Sequence, residues 1–425
     1  MQRAIVLLVV LLLLISTTAQ ATVLKDYVNA QRALFQYDLE VELTLDNGVR
    51  VAFMRVFSGE WKQSYWIHRL RVLIPPQATG EAIAIYVAGS SSGTDELRLM
   101  SQLALQSGQV IAILYDTPLQ PLFHGLTEDA LVSYTFGKYL ETEDLEWPSL
   151  FPMVRAVIAT MDALEGFGKA RFGQQPKRFL VSGGSKRGWT TWLAAAVDDR
   201  IVAIMPAVYD NLNLEAQMKH QLIAWGDYSY KIDDYTNRGI PQMLDSVKGR
   251  ELARLVDPYA YREHITVPKL ILVGTNDPYW PVDAANLYIS DLHGPTYIHN
   301  VPNAGHSLNE SPGLIATMAT FIRGSLAREF EFPDIQWQVK EQNGRVTLAV
   351  ETTQPAMIRF WMSTNTTRDF RKVQWQPVGS AQGVSSAEHV FNRRPKYYAA
   401  IYAEAIFQTE QGLFSICSPV HVIAP

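Results

Sequence analysis

The chain has 425 residues, too many for one average domain, and its 48% of apolar residues is ample for large cores. The formal net charge is −5 without any basic block, which argues against a nucleic-acid partner. A single cysteine, Cys417, excludes an internal disulfide, and its strand-like surroundings predict a buried, inert thiol.

The N-terminus indicates export. Met1-Gln2-Arg3 carries a positive charge, residues 4–15 are apolar without interruption, and Ala19-Gln20-Ala21 fits a small-residue cleavage site. This run is too short to span a bilayer and no stop-transfer segment follows. We therefore predict a signal peptide over residues 1–21 and a secreted or periplasmic protein without membrane contact after cleavage. An uncleaved N-terminal anchor is the alternative.

The first elements predict an antiparallel start. After a helix-like stretch at residues 22–36, the apolar residues of Leu39–Leu45 alternate with polar ones, which is typical of a half-buried strand. Asp46-Asn47-Gly48 is a hairpin-turn signal, and residues 49–53 return as the partner strand. Residues 66–74 form a further predicted strand.

From residue 82 onward the pattern changes to apolar strands that alternate with helices. Continuous apolar runs indicate strands buried on both faces, at residues 82–88, 110–115, 178–181, 201–206, 269–274 and 296–301. Helices are predicted at residues 94–106, 152–167, 189–197, 281–292 and 312–328, with a long polar connection before the second. This alternation predicts an α/β fold with a mostly parallel sheet covered on both faces.

Two regions depart from this alternation. Residues 209–266 are rich in Tyr, Asp and Asn and predict a cap over a substrate cleft. Trp225, Tyr228 and Tyr230 are candidates either for lining that cleft or for filling the cap's own core. Past residue 331 short alternating strands, at 346–351, 357–362, 397–402 and 420–422, predict a small β-sandwich. The expected division is therefore an α/β domain at 22–331 and a sandwich at 332–425.

The strongest chemical signal is Ser185. It lies in a glycine-rich turn between the strand at 178–181 and the helix that follows, which is the geometry of a nucleophile elbow. Small neighbours are needed where the chain reverses so sharply, and the helix N-terminus offers free N–H groups to an oxyanion. A tight strand-to-helix turn without catalysis is the alternative.

Two further strand-end residues complete a possible triad. Asp277 follows the strand at 269–274 and suits the acid, while His306 follows the strand at 296–301 and suits the general base. Serine, acid and histidine occur in the chain order of sheet-based serine hydrolases. Asp283 and Glu310 are rival acids.

The residues around this triad suggest how a substrate is held. The backbone N–H of Lys186 and one from the Gly89-Ser90-Ser91 loop are candidates for an oxyanion hole, and the loop at Asp116 competes with the latter. Lys186 and Arg187 place two cations beside the serine, which predicts either pairing with a lid carboxylate or binding of a substrate carboxylate. No His or Cys cluster has metal-ligand spacing, so neither a metal nor another cofactor is expected.

Three motifs resemble the PhoPQ-activated pathogenicity-related protein family: Gly183–Trp189, Pro206–Asn211 and Gly274–Trp280. The resemblance runs from the mature N-terminus into the C-terminal β-region and implies an α/β-hydrolase fold and an exported protein. It implies no substrate. One departure from the general hydrolase pattern is that Arg187 stands two residues after the serine, where glycine is usual, and Gly188 follows it.

These features predict a secreted serine hydrolase of the esterase or peptidase type. Its expected partner is a small-molecule or polymer-derived ester or amide substrate. The alternative is a non-catalytic binding or signalling protein on a hydrolase scaffold, because fold alone does not decide function.

Overall fold

The structure, a computed structural model, describes residues 23–76, 78–91, 93–308, 311–327 and 330–425. The predicted signal peptide and Glu310 lie outside these residues. None of the helices within the described ranges is both long and apolar enough to span a bilayer.

The strands are β1 (Gln36–Thr44), β2 (Arg50–Trp61), β3 (Ser64–Ile74), β4 (Ala82–Val87), β5 (Val110–Leu114), β6 (Arg178–Gly184), β7 (Ile201–Ala207), β8 (Lys269–Gly274), β9 (Thr296–Val301), β10 (Ile335–Gln342), β11 (Arg345–Asn365), β12 (Gln376–Asn392), β13 (Tyr398–Thr409), β14 (Gly412–Cys417) and β15 (His421–Ile423).

The helices are α1 (Thr94–Ser107), α2 (Glu128–Thr142), α3 (Leu150–Phe172), α4 (Lys186–Ala195), α5 (Leu214–Trp225), α6 (Asp233–Thr236), α7 (Ile240–Met243), α8 (Val247–Val256) and α9 (Pro312–Leu326). Residues 23–30 are also helical. Short 3₁₀ turns lie at Arg32–Leu34, Tyr230–Ile232, Pro258–His264, Ala284–Leu287 and Ile289–Asp291.

One twisted sheet organises the molecule. Its first nine strands follow the order β1-β2-β3-β5-β4-β6-β7-β8-β9. Pairing is antiparallel as far as β5 and parallel from β5 to β9. The helices α3 and α4 cover one face, and α1 and α9 cover the other. This is the α/β-hydrolase fold that the resemblance implied.

The apolar runs become central strands because both of their faces are buried. In β4, Ile83 and Ile85 pack toward α3 and α4, whereas Ala82 and Ala84 pack toward α1 and α9. Since parallel strands end at the same edge, the loops after β4, β6, β8 and β9 converge there. That edge carries the candidate catalytic residues.

The predicted half-burial of the first strand is wrong. All nine residues of β1 are exposed, with Leu39 at 50% and Val41 at 52%. β1 is the outermost strand, and a bulge between these two residues sends its apolar side chains to opposite faces. The alternating pattern therefore predicted the strand correctly, but within the described residues no core layer packs against either face of β1.

Two helix predictions also differ from the structure. The supposed polar connection before α3 contains α2, whose buried side chains include Leu131, Val132 and Phe136. The helix expected at 281–292 is instead two short 3₁₀ turns separated by Tyr288. Tyr288 has φ −148° and donates its hydroxyl proton to Asp210 at 2.6 Å, so a tertiary contact interrupts the helix.

The C-terminal strands continue the main sheet. β10 to β15 pair antiparallel, and β14 joins β9 through a single residue pair, Cys417 and Ile298. The two short strands expected at 346–351 and 357–362 are one strand, β11, and β10 and β12 were not predicted. Phe321 of α9 and Phe414 of β14 belong to one hydrophobic cluster, so the core continues past residue 331. The division into an α/β domain and a sandwich stays a prediction.

Candidate active site

Ser185 stands at a strained turn between β6 and α4. Its φ is 57° and its ψ is −126°, a conformation that costs a non-glycine residue on the order of 1–3 kcal/mol. The turn needs glycine nearby, because a Cβ on Gly183 would lie 2.8 Å from the Arg187 Cβ. A Cβ on Gly188 would lie 2.9 Å from the Ala207 carbonyl oxygen. The shifted glycine noted in the sequence thus serves the close packing of α4 against β7.

Asp277 and His306 form the predicted acid–base pair. The His306 Nδ1 lies 2.8 Å from the Asp277 Oδ2, and the Asp277 Oδ1 accepts a hydrogen bond from the Tyr279 N–H at 2.8 Å. The carboxylate is buried, with 6% of its side chain exposed. The ring of Tyr279 stacks on the His306 ring at a centroid distance of 4.0 Å. Acid and imidazole are therefore held in a fixed relative orientation.

Ser185 and His306, the predicted nucleophile and general base, share no hydrogen bond in this structure. His306 Nε2 is buried and has no hydrogen-bond partner among the described residues. This is the nitrogen that a general base would direct at the serine. The three roles assigned from the sequence remain predictions.

The acid and histidine loops are bound to each other. The Asn276 N–H donates to the Ala304 carbonyl at 2.9 Å, and the Asn303 N–H donates to the Thr275 Oγ1 at 2.9 Å. Gly274 allows this approach, since a Cβ there would lie 2.5 Å from the carbonyl oxygens of Ala304 and Gly305. Both loops are therefore linked directly to each other at the sheet edge.

The rival acid Asp283 is engaged elsewhere. Its carboxylate lies 2.7 Å from His220 Nε2 of α5 and 2.6 Å from Arg368 Nη2. Burial alone would raise the pKa of Asp283, but the bond to His220 and these two neighbouring charges outweigh it and lower the pKa. Asp283 thus ties the region 209–266 to the C-terminal part of the chain.

Asp210 is a buried carboxyl that the sequence did not single out. Burial, together with the charges of Asp277 and Asp283, raises its pKa to about 7 although Tyr288 donates a hydrogen bond to it. It lines a small cavity together with Asp277. A proton on Asp210 near neutral pH leaves Asp277 as the charged carboxylate of this cavity.

The candidate oxyanion loop is held by backbone hydrogen bonds to the end of β5 and to the residues that follow it. The Ala88 N–H donates to Leu114, and the Gly89 carbonyl accepts from the Asp116 N–H at 3.2 Å. Asp116 itself forms a two-point ion pair with Arg69, at 2.8 and 2.9 Å, which occupies its carboxylate. Ser90 is exposed. Lys186 is the first residue of α4, so its N–H is among those that helix geometry leaves unpaired. The oxyanion roles of Gly89, Ser90 and Lys186 stay predictions.

Both cations next to Ser185 form internal ion pairs. Arg187 contacts Glu128 through two parallel bonds of 2.7 Å and donates from Nε to the Thr117 carbonyl at 2.6 Å. Lys186 Nζ lies 2.8 Å from Glu128 and 3.4 Å from Asp129. Burial would raise the pKa of Glu128, but the bonds and charges of Arg187 and Lys186 hold it well below its usual range.

This arrangement corresponds to the pairing alternative, with a different partner. The carboxylates lie at the start of α2 rather than in residues 209–266, where a lid acid was expected. Gly89 is needed for it, because a Cβ there would lie 2.4 Å from the Arg187 Nη2. The guanidinium therefore packs directly against the candidate oxyanion loop.

A cavity of about 60 Å³ lies beside Ser185. Its walls come from the elbow, α2, residues 209–256 and the acid loop, and they consist of Asp129, Phe136, Ser185, Lys186, Trp189, Tyr209, Asn211, Leu214, Met218, Ile232, Tyr235, Ile240, Pro241, Leu244, Leu252, Val256, Tyr279 and Trp280. Trp225, Tyr228 and Tyr230, for which lining and core roles were both left open, are not among these walls, and Tyr228 packs against the hydrophobic core. Tyr230 is 60% exposed, and Trp225 instead lies under the Arg371 guanidinium, 4.1 Å from the ring centroid.

In the described part of the chain, no group of three or more His, Cys, Asp or Glu side chains is arranged to hold a metal ion. The chemistry available at the site is that of a hydroxyl, an imidazole and a carboxylate.

Residues 24–371 match the PhoPQ-activated pathogenicity-related protein family. The chain is 31% identical to autocrine proliferation repressor protein A of Dictyostelium discoideum over 379 aligned residues. The alignment covers 83% of this chain and 76% of that protein.

Solved structures with a similar fold include two esterases. The acetyl xylan esterase from Paenibacillus sp. R4 aligns with a TM-score of 0.48 at 16% identity, over 70% of this chain and 92% of that one. Acetyl xylan esterase 1 from Thermoanaerobacterium sp. JW/SL YS485 aligns with a TM-score of 0.46 at 12% identity, over 72% and 94% of the two chains.

Proposed function

The chain belongs to the PhoPQ-activated pathogenicity-related protein family, and we propose that it is a serine hydrolase that cleaves ester or amide bonds through an acyl-enzyme. One observation carries the proposal: the hydrogen-bonded pair of Asp277 and His306 lies at the strand edge where Ser185 occupies a strained elbow. A strained nucleophile, an oriented imidazole and a buried carboxylate are the parts that acyl transfer requires.

In the proposed reaction the Ser185 Oγ attacks the substrate carbonyl carbon. His306 Nε2 takes the hydroxyl proton and then gives it to the leaving alcohol or amine, so the acyl group remains bonded to Ser185. Asp277 holds the other ring nitrogen and stabilises the imidazolium. A water molecule, activated by the same imidazole, then hydrolyses the acyl-enzyme and releases the carboxylic acid.

The missing hydrogen bond between Ser185 and His306 is compatible with this role. Catalytic hydrogen bonds are often long or misaligned without substrate and shorten in the complex. The N–H of Lys186, and one from the Gly89 loop, would stabilise the oxyanion, with Arg187 keeping that loop in position.

We also propose export, with cleavage after Ala21. The support is the charged start, the apolar run and the small-residue site at the N-terminus. N-terminal sequencing of the protein recovered from the extracellular or periplasmic fraction tests this point, and a mature chain that still begins at Met1 would contradict it.

A second candidate is a non-catalytic binding or signalling protein on the same scaffold. Two observations favour it: the related Dictyostelium discoideum protein carries the name of a proliferation repressor, and His306 Nε2 has no partner among the described residues. In this case Ser185 would have no function as a nucleophile.

Hydrolysis of activated esters separates these candidates. The hydrolase proposal expects turnover by the mature chain and a loss of at least about 10³-fold in kcat for Ser185→Ala. Ser380→Ala, an exposed serine on β12, is the matched control and should retain full activity. Equal rates for both variants would contradict the proposal.

A further inference from the structure

We propose that the cavity beside Ser185 is an acyl-binding site for short, uncharged, apolar acyl groups of about two or three carbons. The inference rests on the proposed hydrolase function and adds the substrate class. Wall composition, charge balance and size each contribute to it.

The walls are mainly apolar and rigidly packed. Trp189 of α4 stacks on Tyr209 with ring centroids 4.9 Å apart, and Phe136 meets Trp189 edge-on at 5.6 Å. Met218 and Leu252 also line the cavity and are exposed by only 7% and 1%. Such surroundings favour apolar groups, since burying a polar group without a partner is costly.

Charge at the cavity is balanced internally. Its charged lining residues are Asp129 and Lys186, and Lys186 binds both Glu128 and Asp129. Asp129 also accepts from the Tyr235 hydroxyl at 3.2 Å and the Tyr279 hydroxyl at 3.3 Å.

Because Arg187 pairs with Glu128, two cations face two carboxylates in this cluster. A substrate carboxylate or ammonium that entered the cavity would find every protein charge there already paired. Its own charge would be buried without a partner, which is strongly unfavourable. Uncharged acyl groups are therefore favoured over both.

Size limits the length of the acyl chain. The cavity measures about 60 Å³, whereas an apolar cavity that takes benzene measures ~150 Å³. Acetyl and propionyl groups suit this volume. A six-carbon chain would have to displace Met218 or Leu252, and overpacking of this kind is unfavourable.

The cavity suits the acyl part better than the leaving group. Ser185 forms part of its wall, and the acyl carbon remains bonded to the Ser185 Oγ after the alcohol or amine has departed. A recess covered by residues of α5 and α8 can hold the group that stays, whereas the leaving group needs an open path to solvent.

Turnover of 4-methylumbelliferyl esters tests the inference. For the acetate and propionate esters we expect the highest kcat/KM, with about a tenfold or greater fall for the hexanoate ester and a similar deficit of the monosuccinate relative to the butyrate ester. Met218→Ala should move the optimum toward longer chains. Met161→Ala, a buried methionine of α3 away from the cavity, is the matched control and should leave the profile unchanged.

The outcomes separate the two proposals. Turnover without discrimination by chain length, a preference for the succinate ester, or an unchanged profile in Met218→Ala would each overturn the acyl-site inference alone. Failure to turn over any of the esters would overturn both the inference and the hydrolase proposal.

Discussion

Asn303 and Trp375 exchange two hydrogen bonds: the Asn303 Nδ2 donates to the Trp375 carbonyl at 3.1 Å, and the Trp375 N–H donates to the Asn303 Oδ1 at 2.7 Å. Asn303 precedes His306 by three residues, and Trp375 ends the segment 366–375 between β11 and β12. In the acid loop, Asn276 Nδ2 donates to the Val373 carbonyl of the same segment at 2.7 Å. The C-terminal part of the chain therefore holds both loops that carry the candidate acid and base.

Removing this anchor should slow the chemistry more than it weakens substrate binding. Asn303 has φ 60°, so Asn303→Gly deletes the amide without straining the backbone. We expect kcat to fall about 10- to 100-fold with little change in KM, because His306 would lose its position relative to Ser185. Asn343→Gly, at φ 51° in the exposed turn between β10 and β11, is the matched control. Equal kinetics of the two variants would argue against a positioning role.

Replacing each candidate acid by asparagine should identify the carboxylate that orients His306. Asp277→Asn keeps the shape but removes the charge that orients His306, so kcat should fall by about 10⁴-fold. Asp283→Asn should retain most activity and lower the melting temperature instead, because it weakens the contacts to His220 and Arg368. If Asp283→Asn proved the more damaging to kcat, the assignment of the acid would be wrong.

Arg187→Lys should affect all substrates alike. Lysine cannot reproduce the two parallel bonds to Glu128, and loss of charged hydrogen bonds of this kind costs about 1.5–3 kcal/mol. We expect lower thermal stability and an equal loss of kcat/KM on neutral and acidic esters. A double-mutant cycle with Glu128→Gln measures the coupling. A loss confined to acidic esters would show that Arg187 binds the substrate instead.

Acid should destabilise the fold through His68. This fully buried imidazole bonds to the Ser58 hydroxyl and to the carbonyls of Tyr115 and Asp116, and burial lowers its pKa to about 4. The unfolded chain binds this proton near pH 6.5, so stability is complete above that pH and declines as pH falls from 6.5 toward 4. The decline from His68 should reach about 2 kcal/mol at pH 5.

Urea unfolding at pH 7.5 and pH 5 measures this effect. In His68→Gln the difference between the two pH values should shrink by the contribution of His68. His264→Gln, an exposed histidine, is the matched control and should retain the full difference. An undiminished pH dependence in His68→Gln would show that other groups cause the acid sensitivity.

Local sequence patterns were enough to predict the strand-end positions of Ser185, Asp277 and His306. Each follows an apolar strand, and parallel strands bring their carboxyl ends together whatever the details of packing. The partner of Arg187 could not be predicted in this way. Glu128 lies 59 residues earlier, at the start of the helix α2, which the sequence pattern had indicated as a polar connection.

Contacts between distant segments account for the other differences. The exposure of Leu39 follows from the edge position of β1, which only the complete sheet determines. Nothing in the local sequence of residues 366–375 indicates that their carbonyls accept hydrogen bonds from Asn276. In the region 209–266, nothing in the sequence distinguishes Met218, which lines the cavity, from Trp225, which does not.

The most direct test of the hydrolase proposal is the reaction of the folded mature chain with a fluorophosphonate, in which the Ser185 Oγ would displace fluoride from phosphorus. Mass spectrometry should find one adduct in the tryptic peptide of residues 179–186, with fragmentation assigning it to Ser185 rather than Ser182. The adduct should be lost in Ser185→Ala and retained in Ser380→Ala. Absence of an adduct on the folded protein, or an adduct that persists in Ser185→Ala, would contradict the account.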